Sequence, residues 1–171
     1  MKTRKLEFLE SVVIRELIPE DVKWVVSCQQ DLYSSNFPRA KITKRFLHSQ
    51  EEWIQEHFNL GQRSAFFIAH RGRENIGFIW GKVFDNLLEG FEGMVLQNYV
   101  SRPWRSKGVG RKLVIKLEEF FKKHAVNKIS LNVTLDNDSA LFLYKSCGFM
   151  PVRYEMEKRF DMQQDKEKGI D

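Results

Sequence analysis

Between positions 105 and 111 the sequence reads Arg105-Ser106-Lys107-Gly108-Val109-Gly110-Arg111, a set of residue types able to hold an anion. The glycines let the backbone pass close to a ligand, and the N–H groups that open a helix point outward toward it. Arg105, Lys107 and Arg111 add positive charge around those amides, which suits a pyrophosphate better than a single carboxylate. A basic, solvated strand-to-helix turn is the competing reading of this stretch taken alone. Two common nucleotide motifs are absent. The phosphate loop needs Gly-x-x-x-x-Gly-Lys-Ser/Thr, and the dinucleotide turn needs a third glycine at fixed spacing.

Such a turn works only if a strand delivers it and a helix receives it. Residues 93–100 read as that strand, and from Val109 the apolar positions Leu113, Leu117, Phe120 and Phe121 fall on one helical face, with Lys112, Lys116, Lys122 and Lys123 elsewhere. Residues 128–136 alternate, Ile129, Leu131, Val133 and Leu135 against Ser130, Asn132 and Thr134. This predicts a strand parallel to the previous one, because a helix crosses over between them. Asn137-Asp138-Ser139 offers N-caps for a short helix over 139–147 stopped by Gly148, and 149–160 is expected to close the sheet as a hairpin or strand pair. Upstream, residues 12–14 read as a strand. Pro19-Glu20-Asp21 is a helix entry into roughly 20–33, and 42–60 hold one or two helices. Residues 65–69 and 76–84 are β-rich runs joined by a polar turn, hence an antiparallel pair. The predicted order is β-α-α-β-β-β-α-β-α-β.

With 171 residues, 42% of them hydrophobic and 14 of them Phe, the chain has the apolar mass for one globular domain, assigned to 1–160, with a charged, loose tail at 161–171. Cys28 and Cys147 lack metal-ligand spacing and read as free thiols of a reducing, cytoplasmic setting. His48, His57, His70 and His124 show no paired metal spacing, so no metal is expected. Apolar runs fall well short of the ~20 residues of a membrane helix. The formal charge of +5 does not by itself choose a partner, but Arg102, Arg105, Lys107, Arg111 and Lys112 gather around the glycine turn.

The turn resembles the (Arg/Gln)-x-x-Gly-x-(Gly/Ala) signature of the GNAT N-acetyltransferase superfamily. Downstream, Asn137-Asp138-Ser139-Ala140-Leu141-Phe142-Leu143-Tyr144-Lys145-Ser146-Cys147-Gly148-Phe149 resembles its Asn-x-x-Ala-x-x-Leu-Tyr-x-x-x-Gly-Phe segment. The two stand in the expected order, and the resemblance covers about residues 76–160. It implies an α/β GNAT-like fold, with a mixed, mostly antiparallel sheet flanked by helices and splayed between the fourth and fifth strands. It also implies acetyl-CoA as the acyl donor and a primary amine as acceptor, in a monomer or homodimer that needs neither nucleic acid nor membrane.

By the same resemblance, backbone groups of Asn98, Tyr99 and Val100 bind the pantetheine arm, the amides of 105–110 hold the pyrophosphate, and Asn137 bonds a pantetheine amide. Tyr144 protonates the departing thiolate. The general base is where the chain departs from the pattern. The branch that acetylates protein N-termini, including the ribosomal-protein alanine acetyltransferase, carries a Glu at the position of Asn132. Other branches carry a carboxylate on the preceding strand at the place of Met94, with Glu92 one same-face step away. Glu92, Glu89 and a water relay oriented by Asn132 are the candidates. A catalytically silent acyl-CoA-binding regulatory module is the alternative to an enzyme.

Overall fold

Runs that are apolar on both faces make a sheet that must be covered twice. The computed structural model describes residues 7–37 and 40–158. Among these residues the sheet has five strands in sequence order: β1 (Val12–Glu16), β2 (Ser64–Arg71), β3 (Glu74–Asn86), β4 (Gly90–Val100) and β5 (Lys128–Ser130). Neighbours pair antiparallel from β1 to β4, and β4 pairs with β5 in parallel. The sheet is therefore mixed and mostly antiparallel, in an α/β fold.

Helices α1 (Val22–Asn36) and α2 (Lys44–Glu56) lie over one face, α3 (Val109–Lys123) and α4 (Asp138–Ser146) over the other. Ala65, Phe67 and Ala69 of β2 join the α3 side, while Phe66 and Ile68 join the α1 side with Phe78 and Trp80. On α3 the buried positions are Val109, Leu113, Val114, Leu117 and Phe121, one stripe at helical spacing. Glycines beneath that stripe let the helix sit close. A Cβ on Gly81 would come within 2.8 Å of both Leu117 and Phe121, and one on Gly93 within 2.9 Å of Phe121.

The entry to α1 is fixed by one carboxylate. Asp21, 5% exposed, accepts from Arg15 Nη1 and Nη2 at 2.5 and 2.9 Å, from Ile18 N at 3.1 Å and from Asn75 Nδ2 at 2.9 Å. It thereby ties β1, the α1 entry and β3 together.

Two expectations are corrected. The alternating run at 128–136 forms a ladder only over Lys128–Ser130. Beyond it, Thr134 Oγ1 donates to Asn36 O at 2.9 Å and Asn137 Nδ2 to Asn36 Oδ1 at 2.8 Å, so the chain turns toward α1 instead of continuing beside β4. The closing strand is likewise not formed over 149–158, where Met150, Val152, Tyr154 and Met156 are exposed, because β5 ends before it could offer them an edge. The tail expectation for 161–171 lies outside the described residues.

Desolvation alone would raise the Asp21 carboxyl, but Arg15, the Ile18 N–H and Asn75 outweigh it and hold the group below the usual carboxylate range. Its contribution is present above the ordinary carboxylate pKa and is lost as pH falls through the depressed folded value. Asp21→Ala, which strands Arg15, is expected to cost about 3 kcal/mol at neutral pH. Urea unfolding of the variant and the parent protein should show that deficit shrinking in acid.

Candidate functional site

The β4–β5 ladder has three pairs, Glu92 with Lys128, Gly93 with Ile129 and Met94 with Ser130. After Met94, β4 runs on to Val100 with no strand on that side among the described residues, so its edge lies open. At the point of divergence the register with β3 shifts, Gly81 facing Val95 and Trp80 facing Gln97, which leaves Leu96 as the extra residue of a bulge. A bulge exchanges the faces. Gly93 and Val95 point toward α3, whereas Gln97 and Tyr99 point toward α1 and α2. Asn98 and Val100 are thereby placed on the α3 and α4 side.

Tyr144 comes to the same place from α4. Asn137 Oδ1 caps that helix by accepting from Ala140 N at 3.1 Å. At the other end Gly148, at φ 90°, lets Gly148 N and Phe149 N donate back to Lys145 O and Tyr144 O, each at 3.0 Å. This stop folds Phe149 onto Tyr144 in an edge-to-face contact, ring centroids 5.5 Å apart, and fixes the tyrosine ring. Burial pushes the Tyr144 phenol up, against a smaller downward pull from Asn98. The Asn98 amide faces this hydroxyl, yet its Oδ1 and Nδ2 are both buried and complete no hydrogen bond.

The basic turn follows β4 directly. Gly108, at φ 94°, is the N-cap of α3, and Ser106 holds φ 60°. Gly110 sits close against α4, where a Cβ would lie 3.1 Å from the Leu143 side chain. Val109 is buried, while Ser106, Lys107 and Arg111 are exposed. The Lys107 ammonium lies 4.7 Å from the centre of the Trp104 ring, which stacks on Phe8 at 5.4 Å and donates to Glu74 Oε1 at 2.9 Å. Trp104 thus covers the strand end. Arg105 Nε donates to Val100 O at 2.9 Å, and its Nη2 to Asp31 Oδ2 at 2.7 Å.

The structure therefore brings Asn98, Tyr144 and the start of α3 to one end of the open β4 edge. Glu92 lies elsewhere, six residues back along the strand or about 20 Å. Its carboxylate is held below the usual range first by Ser130, then by Asn86 and Lys128, and Lys128 Nζ also bonds Glu89. Asn132 is exposed in the irregular segment after β5. Asn137 spends its amide donor on Asn36. Sequence reading missed Asp31 and Asn36, both on α1, because nothing in their local pattern distinguishes them from solvated helix residues.

Among the described residues no cluster of three His, Cys, Asp or Glu is placed to hold a metal ion, and no helix is long and apolar enough to cross a membrane. Two clefts lie away from the β4 edge. One of about 670 Å³ is lined by His57, Ser64, Phe67, Lys116 and Phe120, and another by Glu51, Glu52 and Glu56 of α2. An open strand edge is a slot at the surface, not a cavity.

Comparison with known proteins agrees with this fold. The fold is similar to that of a putative acetyl transferase from Pyrococcus furiosus, at 23% identity and a TM-score of 0.70 over 87% of this chain and 99% of that one. It is similar also to the ribosomal-protein-alanine N-acetyltransferase of Brucella melitensis biovar Abortus 2308, at 18% identity and 0.67 over 88% and 99%. AAC(6')-Iy, in complex with the bisubstrate analog CoA-S-monomethyl-acetylneamine, aligns at 16% identity and 0.66 over 88% and 98%. No curated protein matches the sequence. Residues 29–149, most of the chain and both motifs, match the Acetyltransferase (GNAT) family. The chain belongs to the GNAT acetyltransferase family.

Proposed function

We propose that the protein transfers an acetyl group from acetyl-CoA to a primary amine by direct attack in a ternary complex. The observation that carries this reading is the unbonded Asn98 amide beside Tyr144 at the open edge of β4. A buried amide without partners costs about 1–3 kcal/mol, and a ligand amide that bonds it removes that cost. The pantetheine arm, an extended chain with two amides, can lie along β4 residues 98–100 as an added strand does. The first amides of α3, from Gly108 to Arg111, face outward at the positive end of the helix and suit the pyrophosphate, with Lys107 and Arg111 supplying charge and Ser106 shaping the turn.

In this arrangement a β4 backbone N–H near Asn98 or Tyr99 polarises the thioester carbonyl. The amine forms the new C–N bond as the C–S bond breaks, Tyr144 gives its proton to the leaving sulfur, and the extra proton of the new amide nitrogen returns to the phenolate through water. The raised phenol pKa keeps Tyr144 protonated at neutral pH. Glu92 is distant and already engaged, so the proton of the incoming ammonium leaves through water, with Asn132 beside that route. A primary amine is the acceptor class of this reading, and the AAC(6')-Iy complex with the bisubstrate analog CoA-S-monomethyl-acetylneamine is compatible with it.

Thermal stability with and without acetyl-CoA, followed by thiol release over a panel of amines and N-terminal peptides, tests the reading. Stabilisation with release for one amine class supports it, stabilisation without release from any amine points to a silent coenzyme-binding module, and no stabilisation at saturating coenzyme removes it. Tyr144→Phe should lower kcat by about 10²-fold with near-normal acetyl-CoA affinity; a variant with full turnover would exclude the acid role. Asn98→Leu should act in opposite directions, leaving the free protein as stable or stabler by about 1 kcal/mol while weakening acetyl-CoA binding. Paired denaturation and calorimetry measure both. Gly108→Val, which forces a branched side chain to φ 94°, should weaken acetyl-CoA binding more than it alters kcat at saturation.

A further inference from the structure

The arginine that opens the basic turn does not reach over the amides it precedes. Its guanidinium turns back, bonding Val100 O through Nε and Asp31 Oδ2 through Nη2. Asp31 also accepts from Arg102 at Oδ1, through Nε at 2.8 Å and Nη2 at 2.5 Å, and from the Tyr99 hydroxyl at Oδ2, 3.1 Å away. One carboxylate of α1, 20% exposed, thus gathers three donor residues from the end of β4 and the turn that leaves it. Val100 O belongs to the last residue of β4, where the ladder to β5 has already ended. Ser106, the residue after Arg105, is held at φ 60°, a conformation that a non-glycine side chain resists. A turn containing such a residue keeps its shape only if its surroundings hold it.

We propose that Asp31 is a positioning residue for coenzyme binding: it anchors Arg105 and Arg102 so that they brace the end of β4 and set the turn at 106–110, whose amides receive the pyrophosphate. This rests on the site reading given above. Arg105 then acts through the turn and not as a direct phosphate ligand. The opposite geometry, in which Arg105 swings out to the phosphates and Asp31 merely competes for it, makes the opposite prediction. Removing Asp31 would then release the arginine and tighten binding.

A double-mutant cycle separates the two. Acetyl-CoA affinity is measured by calorimetry for the wild type, Asp31→Asn, Arg105→Gln and the double variant, with amide hydrogen exchange of 106–111 followed in the coenzyme-free proteins. Bracing predicts that each single change weakens binding by about tenfold and that the double variant is no weaker than either. It also predicts faster exchange across the turn, a raised KM for acetyl-CoA in Asp31→Asn with kcat altered less than twofold, and partial recovery in Asp31→Glu. Affinity in Asp31→Asn equal to or tighter than wild type, or single effects that multiply in the double variant, would overturn the proposal. Should the wild type itself fail to bind acetyl-CoA, the site reading falls. The exchange data on the free proteins still decide the bracing, with unchanged exchange at 106–110 overturning it.

Discussion

The early end of the β4–β5 ladder is the constraint on which the rest of the site depends. Parallel strands joined through a helix pair where they can, and here pairing stops at Ser130 while β4 continues for six more residues. Backbone groups along that edge are left without a strand, a condition that water or a ligand must satisfy. The bulge at Leu96 lies at the same point and adds local twist. An extended chain bearing amides can therefore take the place of the missing strand, with its far end directed at the start of α3. The position of the slot and its chemistry follow from one interruption in hydrogen bonding.

What keeps that slot aligned with the helix is the close seat of α3. Gly77, Gly81 and Gly93 leave room for Leu113, Leu117 and Phe121 to rest almost on the sheet backbone. Glycine in a strand interior costs roughly 0.5–1 kcal/mol in chain entropy, and contact with these large, fully buried side chains offsets it. At the other end Lys112 Nζ donates to Leu9 O and Val12 O, at 2.8 and 2.5 Å, holding the first turns of α3 against the strand entry. The helix start is thus a fixed point, and the turn of 101–108 must span from it to the end of β4.

The elements read correctly from sequence are those whose signal is local. The stripe of α3 repeats at helical spacing, the β2–β3 pair is bounded by a polar turn at Arg71–Glu74, and the parallel pairing of β4 with β5 follows from the crossover helix. The overextended β5 and the missing closing strand share one cause: alternation such as Leu131, Val133, Leu135 or Met150, Val152, Tyr154 makes a segment fit for a strand without providing the neighbour. The bulge at Leu96 was hidden because the apolar run Met94-Val95-Leu96, followed by Gln97-Asn98, has no alternation whose break could mark it. Within the site, the turn and Tyr144 carry motif signals. Asp31 and Asn36 do not, because their partners lie 68 to 101 residues away in sequence.

Two neighbouring amides on β4 show how function is written into this core. Gln97, on the α1 and α2 face, exchanges hydrogen bonds with Gln29 at 3.1 Å in both directions and donates to Gln50 at 3.3 Å. Its polar atoms are satisfied, and they tie two helices to the bulge. Asn98, one residue on and on the opposite face, also has buried amide atoms, but no partner meets them in hydrogen-bonding geometry, the Tyr144 hydroxyl being only near by. Residue type is nearly the same and both amides are out of water, so the difference lies in what each amide faces. Stability alone would favour an apolar side chain at 98, as at Val95 and Val100, which pack into the same cluster. An amide kept there at a cost, beside a phenol whose pKa burial raises, is what the proposed binding of a polar ligand at the open edge would account for.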